Sequence, residues 1–196
     1  TSSPHICPDE KGNIMTDLLI INPGSKDNYK GMDDLKAIEP PIWAAMLAYE
    51  MRRAGFDTII CDANALNMSP AEVAKHVKFV NPSGVIITVC GHNPTASTTV
   101  MPAAIAISKA IKKVGKKRYI EMFGVHPSAL PQRTIQESGA DGIFPQIVNK
   151  NLTTNIKGIA WDLLQMDKYR AHNWHCFGKD REPYAALYTS LGCPYS

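Results

Sequence analysis

The sequence predicts an α/β protein, and three observations lead to that class. Short apolar runs alternate with segments of helical spacing five times between residues 17 and 144. The runs are apolar at nearly every position, as is typical of strands that are covered on both faces. Proline, glycine and small polar residues separate the segments. These features indicate right-handed βαβ units, and so a Rossmann-like (flavodoxin-like), doubly wound five-stranded parallel sheet with a C-terminal connector.

The boundaries of the elements follow from the same patterns. We predict strands at residues 17–22, 57–62, 84–90 and 119–125, a fifth strand entered through 139–144, and helices at 41–54, 70–80, 102–114 and 130–138. Pro41 stands in the first turn of the first helix, and Gly55 caps its end. Ser69, Pro70 and Glu72 form the start of the second helix, with a capping serine, a proline at the first position and an acid in the first turn.

The regular pattern divides the chain into three parts. Residues 1–16 are irregular and polar, residues 17–147 form the predicted domain, and residues 148–196 form an extended connector with one or two short helices. The connector is rich in Trp, Tyr, His and Asp, and the strand-and-helix alternation is lost there.

Composition excludes several classes of protein. The net charge is only +3, and the one dense basic run, at residues 112–118, is typical of a solvated helix end, so no nucleic-acid partner is expected. No apolar run approaches the length of a membrane span, so no membrane partner is expected. The five cysteines are odd in number and unevenly spaced, which favours a reducing, cytoplasmic location over a disulfide framework.

Ligands of a doubly wound sheet bind at the carboxyl ends of its strands, so the segments that follow the strands carry the candidate site. The first strand lacks the Gly-x-Gly-x-x-Gly fingerprint of dinucleotide binding, and no P-loop is present. Residues 91–99 form a long run of small and hydroxyl-bearing side chains. This run either lines a deep slot for a bulky polar ligand or is an ordinary loop with helix-capping threonines.

Several polar side chains at strand ends have two interpretations. His92 and His126 follow strands, where a single histidine is more often a hydrogen-bonding group than a metal ligand. His172 and His175 have a spacing that could bind zinc, but no second cluster at ligand spacing supports such a site. Asp62 closes the second strand, where it could bind a ribose or equally cap the turn that follows.

The order of several motifs resembles a known family. The motifs are LLIINP at residues 18–23, PPIWAAMLA at 40–48, ICDAN at 60–64, GHNPTAS at 91–97, GVHPSALP at 124–131 and AWDLL at 160–164. In this order they resemble the N-terminal cobalamin-binding domain of the cobalamin-dependent radical S-adenosylmethionine enzymes. The last residues, TSLGCPY at 189–195, resemble the start of that family's Cys-x-x-x-Cys-x-x-Cys loop. On this resemblance the chain is expected to be truncated within that loop.

The resemblance implies a site for cobalamin at the carboxyl ends of the strands. The nucleotide tail would lie in a slot between the segments after the third and fourth strands, and the corrin over the loop after the first strand. The implied cofactor-binding residues are Asn22, Pro23, Gly24, Ser25, Thr88, Gly91, His92, Asn93, Ser97, Thr98, Gly124, His126 and Ser128. Cys193 would be a ligand of the [4Fe-4S] cluster of a downstream barrel in cis, which also binds S-adenosylmethionine.

The sequence departs from the family pattern in three places. No Asp-x-His-x-x-Gly motif follows the first strand, so no histidine is expected below the cobalt. Val125 replaces the second glycine of the Gly-Gly turn, and Pro145-Gln146 replaces the expected Gly-Glu-Gly-Glu.

The expected function is that of a cobalamin-binding module of a radical S-adenosylmethionine methyltransferase, with no catalytic residue and no activity in the fragment alone. The alternatives are a flavodoxin-like binding module without cobalamin and a nucleotide-binding Rossmann-like domain.

Overall fold

The computed structural model describes residues 16–24, 37–91, 96–114, 117–144, 158–172 and 181–186. Its five parallel strands are β1 (Leu18–Asn22), β2 (Thr58–Asp62), β3 (Gly84–Thr88), β4 (Tyr119–Phe123) and β5 (Gly142–Ile143). The strand order is β2-β1-β3-β4-β5. This is the order of flavodoxin-like sheets, and the predicted fold class is confirmed.

Helices cover the two faces of this sheet unequally. They are α1 (Ile42–Arg53), α2 (Pro70–Val80), α3 (Ser97–Lys112), α4 (Val125–Ala129) and α5 (Pro131–Ser138). Buried side chains of α2 and α3 pack on one face of the sheet, against residues such as Leu19 and Val85. Helix α1 packs on the other face, against Ile20, Ile86 and Phe123. Because alternate residues of a strand point to opposite faces, the strands are apolar at almost every position, as predicted.

Helix α1 is buried on two sides. Its residues from Ile42 to Ala48 are all buried, because the sheet covers one side and residues 158–172 cover the other. The chain approaches closely at Gly158, where a Cβ atom would lie 2.6 Å from the ring of Tyr49. Within 158–172 the structure contains two short 3-10 helices, Trp161–Leu163 and Met166–Lys168, which confirms the short helices predicted for this region.

The start of α2 agrees with the sequence. The Ser69 side chain accepts a hydrogen bond from the Glu72 amide, and the Glu72 carboxylate accepts one from the Ser69 amide. This reciprocal capping box satisfies two amides that the helix itself leaves unpaired.

Three predicted boundaries were wrong. Helix α3 begins at Ser97 rather than residue 102, so Pro102 lies inside the helix. Strand β3 ends at Thr88 rather than residue 90. Strand β4 ends at Phe123, because Gly124 has a φ of 148° and turns the chain directly into α4.

The helix predicted at residues 130–138 is also corrected. Two helices, α4 and α5, occupy residues 125–138, separated by Leu130. Leu130 leaves the helical region because the ring of Pro131 disfavours helical geometry in the residue before it. In the part of the chain that the structure describes, no helix is long and apolar enough to cross a membrane.

Candidate functional site at the carboxyl ends of the strands

The ends of β3 and β4 bring together five of the predicted site residues. Gly124 is buried against β3, and a Cβ atom at this position would lie 2.2 Å from the carbonyl oxygen of Val89. The Ser97 hydroxyl donates a hydrogen bond to that same carbonyl and accepts one from the His126 amide at 3.1 Å. These contacts fix the first turn of α3 to the start of α4.

Two further polar side chains extend this cluster toward the surface. The hydroxyl of Thr98 and Nδ1 of His126 lie 3.0 Å apart, within hydrogen-bonding distance. Ser128 donates its hydroxyl hydrogen to the carbonyl oxygen of Gly124 at 2.8 Å. Thr98 and Ser128 are exposed and His126 is half-buried. We call Ser97, Thr98, Gly124, His126 and Ser128 the hydroxyl cluster.

Two further residues, Thr88 and Cys90, lie at the carboxyl end of β3, where Thr88 makes a hydrogen bond to β1 and Cys90 is a partly buried thiol. The buried Thr88 hydroxyl donates to the carbonyl oxygen of Ile21 at 3.1 Å, which ties the end of β3 to that of β1. Burial raises the pKa of the Cys90 thiol to about 12, so this side chain stays neutral. Gly91 is half-buried at the end of the described segment. His92 and Asn93, predicted beside it, lie outside the described residues.

The ends of β1 and β2 carry a second polar group. Asn22 and Asp62 are register partners, and the Asn22 amide donates to Oδ1 of Asp62 at 2.8 Å. The same oxygen accepts from the backbone amides of Asn64 and Ala65, each at 3.1 Å. Asp62 therefore caps the turn after β2, which was one of the two roles predicted for it.

The remaining oxygen of Asp62 binds a residue that is distant in sequence. Tyr169 is fully buried and donates its hydroxyl hydrogen to Oδ2 of Asp62 at 3.0 Å. Burial raises the pKa of Asp62, although hydrogen bonds from Asn22, Tyr169 and the two turn amides oppose that rise. Burial and the Asp62 charge in turn raise the pKa of Tyr169, so the phenol remains a donor. Sequence analysis did not identify Tyr169 as a partner of Asp62, because no local sequence pattern links the two residues.

The loop after β1 lies against the turn after β2. Pro23 is buried, and a Cβ atom at Gly24 would lie 3.4 Å from the Ala63 carbonyl oxygen. The Ala63 amide donates to the carbonyl oxygen of Asn22 at 3.0 Å. Ser25 lies outside the described residues.

The predicted metal ligands are not tested by this geometry. Cys193 and His175 lie outside the described residues. Among the residues with described positions, no group of three or more His, Cys, Asp or Glu side chains could hold a metal ion.

Comparison with known proteins shows the family to which the chain is similar. The family model described as "B12 binding domain" matches residues 31–147. An uncharacterised methyltransferase of Pyrococcus horikoshii is 26% identical over 196 aligned positions, which cover 80% of this chain. The chain spans 39% of the length of that relative.

The residues at the carboxyl ends of the strands fit cobalamin chemically. The hydroxyl cluster presents neutral hydroxyls, an imidazole and a glycine that permits close backbone approach, and such groups suit a polar nucleotide tail. The loop after β1 adds a second polar edge through Asn22. With more than half of its length matched, the chain belongs to the B12-binding domain family.

Proposed function

We propose that this chain is the cobalamin-binding module of a radical S-adenosylmethionine methyltransferase. In the proposal, residues 17–147 form the binding domain and residues 148–196 connect it to a downstream barrel in cis. That barrel would hold a [4Fe-4S] cluster, with Cys193 as one ligand, and S-adenosylmethionine. Support comes from membership of the B12-binding family and from the similarity to a relative named a methyltransferase.

The single observation that supports this binding site is that α3 and α4 both begin at the Val89 carbonyl. Ser97 of α3 and Gly124 before α4 contact this carbonyl, and Thr98 and His126 pair with each other at the outer rim of the cluster. We propose that the nucleotide tail lies against this rim, near Thr88, Gly91, His92, Asn93 and Ser128. The corrin would face residues 22–25.

In the proposed function, the cofactor and the protein have different roles. Methylcobalamin, when bound, supplies a methyl group to a substrate radical, and the protein supplies binding, orientation and exclusion of water. In this chain, Thr98 would orient the His126 imidazole toward the tail, and Ser97 would hold the backbone of the turn in place. No Asp-x-His-x-x-Gly motif follows β1, so this loop would supply no imidazole ligand to a bound cobalamin.

Titration of the purified chain with hydroxocobalamin tests the binding function. We expect saturable binding in the micromolar range by calorimetry, with an absorbance spectrum that lacks the signature of coordinated benzimidazole. Absence of saturable binding would contradict the proposal. Binding of a flavin or of a nucleotide in its place would support the alternative of a module without cobalamin.

The radical chemistry needs a separate test. If the reading frame continues beyond residue 196, the gene should encode two further cysteines at the spacing of the Cys-x-x-x-Cys-x-x-Cys loop that begins at Cys193. The longer protein, reconstituted with iron and sulfide, should then show the absorbance of a [4Fe-4S] cluster, and a Cys193→Ala variant should lose it. A frame without those cysteines would overturn the radical part of the proposal and leave cobalamin binding intact.

A further inference from the structure

A chain of hydrogen bonds joins the C-terminal segment to the loop after β1. Tyr169 donates to one oxygen of Asp62, and the other oxygen of Asp62 accepts from the Asn22 side chain. Asn22 is the last residue of β1 and the first of the loop that is proposed to face the corrin. All three side chains lie on the face of the sheet that α1 covers, since Asn22 follows Ile20 and Asp62 follows Ile60 by two residues.

The segment that carries Tyr169 is anchored on both sides of that residue. Before it, the Ala160 amide donates to the Ala45 carbonyl oxygen at 3.1 Å. After it, Arg170 and Ile38 exchange two backbone hydrogen bonds of 2.9 Å in an antiparallel bridge. Ile38 belongs to the stretch that leads from the β1 loop into α1. The C-terminal segment therefore contacts the end of the β1–α1 connection at Ile38 directly, and the end at Asn22 through Asp62.

Tyr169 fills a closed space as well as donating a hydrogen bond. It has no exposed surface and packs with Ala45 and Leu164, against the side chains of Ile38 and Ile60. A buried phenol of this kind has one rotamer available, so its hydroxyl has a fixed direction. This rigidity allows Tyr169 to hold the Asp62 carboxylate at a fixed distance from Asn22.

We propose that Tyr169 is a positioning residue for cobalamin binding, acting through Asp62 to hold the Asn22 side chain in the orientation that accepts the corrin. This inference rests on the proposed cobalamin function. It adds that the segment after the binding domain completes the cofactor site. Cobalamin binding and the docking of residues 158–172 are then coupled, so each stabilises the other.

Removal of the phenol hydroxyl tests the inference. In Tyr169→Phe the ring still fills its space, but Asp62 loses one of its four hydrogen-bond donors. We expect about a tenfold rise in the Kd for hydroxocobalamin, the size expected for a lost hydrogen bond to a charged group. Tyr119→Phe is the matched control, because Tyr119 is about half exposed at the opposite, amino-terminal end of β4. We expect the control to bind like the wild type.

The pH dependence of Kd separates positioning from general loss of packing. Among the described residues, the titratable groups coupled to Asp62 are Tyr169, whose phenol also feels the charge of Asp167, and Cys61, whose side chain points to the other face of the sheet. Without the Tyr169 hydroxyl, Asp62 takes up a proton at higher pH and then holds Asn22 less well. As the pH is lowered, the Kd of Tyr169→Phe should therefore begin to rise at a higher pH than the Kd of the wild type.

A second measurement works without cofactor. The side-chain amide resonances of Asn22 in the NMR spectrum of the cofactor-free chain should shift in Tyr169→Phe and remain unchanged in Tyr119→Phe. If the wild type fails to bind hydroxocobalamin, the proposed function falls and this inference falls with it. If wild type and Tyr169→Phe bind equally, the inference alone is overturned. It is also overturned if Tyr169→Phe binds more weakly by the same factor at every pH and leaves the Asn22 resonances in place.

Discussion

The two halves of the candidate site are built in opposite ways. At the ends of β3 and β4, hydroxyl groups and a glycine meet around one carbonyl, with Ser97 and Gly124 buried and His126 half-buried. At the ends of β1 and β2, a buried carboxylate is held by a side chain more than a hundred residues away, since Tyr169 and Asp62 are separated by 107 positions. The first half can adapt to a ligand by rotating hydroxyls, whereas the second is fixed by charge and packing.

This difference indicates separate roles for the two halves. Hydroxyls and an imidazole can exchange a partner in the protein for one in a ligand at little cost. A buried carboxylate that loses a donor pays a large penalty, so Asp62 is suited to holding structure rather than to contacting a ligand. The comparison predicts that substitutions at the ends of β3 and β4 change cobalamin affinity or local packing. Substitutions at Asp62 should instead change how stability depends on pH.

The largest effect is expected at Gly124. A Gly124→Ala substitution would force a Cβ atom to within 2.2 Å of the Val89 carbonyl oxygen, at a residue whose φ is 148°. We expect a loss of about 4 kcal/mol in the free energy of unfolding, from backbone strain and overpacking together. Urea denaturation measures this loss, and hydroxocobalamin binding should disappear with it.

Gly139→Ala is the control for Gly124. Gly139 also has a positive φ, of 69°, but no atom lies within 4 Å of a Cβ built there. Only the conformational strain remains, so we expect a loss of about 1 kcal/mol and unchanged cobalamin binding. Equal losses in the two variants would show that close approach to β3 is not what Gly124 provides.

The second effect in size is expected at Ser97. In Ser97→Ala, the Val89 carbonyl loses a donor and the His126 amide loses an acceptor in a buried place. We expect a loss of about 2 kcal/mol in stability, together with weaker cobalamin binding. Ser108→Ala is the matched control in the same helix, since the Ser108 hydroxyl is fully buried and has no hydrogen-bond partner in the described part of the chain. A loss as large for Ser108 would contradict the role given to Ser97.

The helix start at Ser97 shows where sequence patterns fail. The run of Ser, Thr and Asn before Pro102 is typical of a loop, and proline is typical of a first turn, so the sequence predicts a later start. In the structure the first turn forms at Ser97 without any side-chain cap of its own. Contacts with Val89 and His126, from two other elements, stabilise that turn. A prediction from local sequence has no access to such tertiary contacts.

The sheet, by contrast, could be predicted almost completely. The central strands β1 and β3 are buried on both faces, so each is marked by an apolar run, and the capping box at Ser69 marks the start of α2. The grouping of Ser97, Gly124 and His126 was implied by the family resemblance, in agreement with the rule that ligands bind at the carboxyl ends of strands. The partner of Asp62 could not be found in the same way. Tyr169 lies in a segment without periodicity, and only packing against α1 brings it to the sheet.

The third prediction compares two carboxylates by pH. Burial raises the pKa of Asp62 above its ordinary value of 3.8, so the folded chain binds this proton more readily than the unfolded chain. The stability that Asp62 contributes is therefore full below pH 3.8 and is lost as pH rises through its folded pKa. Relative to Asp62→Asn, the wild type should gain stability as the pH is lowered from neutral toward 3.8.

Asp141 is the counterpart with the opposite sign. Its burial would raise the pKa, but hydrogen bonds from Lys112 and the Ile120 amide, with the charges of Lys112 and Lys117, lower it overall. Its contribution is present above pH 3.8 and is lost as pH falls through its folded pKa. The wild type should thus lose stability in acid relative to Asp141→Asn. Urea unfolding of the three proteins between about pH 7 and about pH 3 decides the matter, and slopes of the same sign would contradict the assignment.

The smallest effect on stability is expected at Thr98, where function should respond most selectively. Thr98 is exposed, and its hydroxyl pairs only with Nδ1 of His126 among the contacts described here. Thr98→Val keeps the shape of the side chain and removes that hydrogen bond, so we expect less than about 0.5 kcal/mol of change in unfolding free energy. The His126 ring should then turn more freely, and the Kd for hydroxocobalamin should rise about threefold to fivefold. Thr99→Val, one residue further along α3, is the control, because its hydroxyl donates to the Ala96 carbonyl oxygen at the start of the same helix. If Thr99→Val raised the Kd as much as Thr98→Val, the start of α3 rather than an oriented His126 would determine the affinity at the ends of β3 and β4.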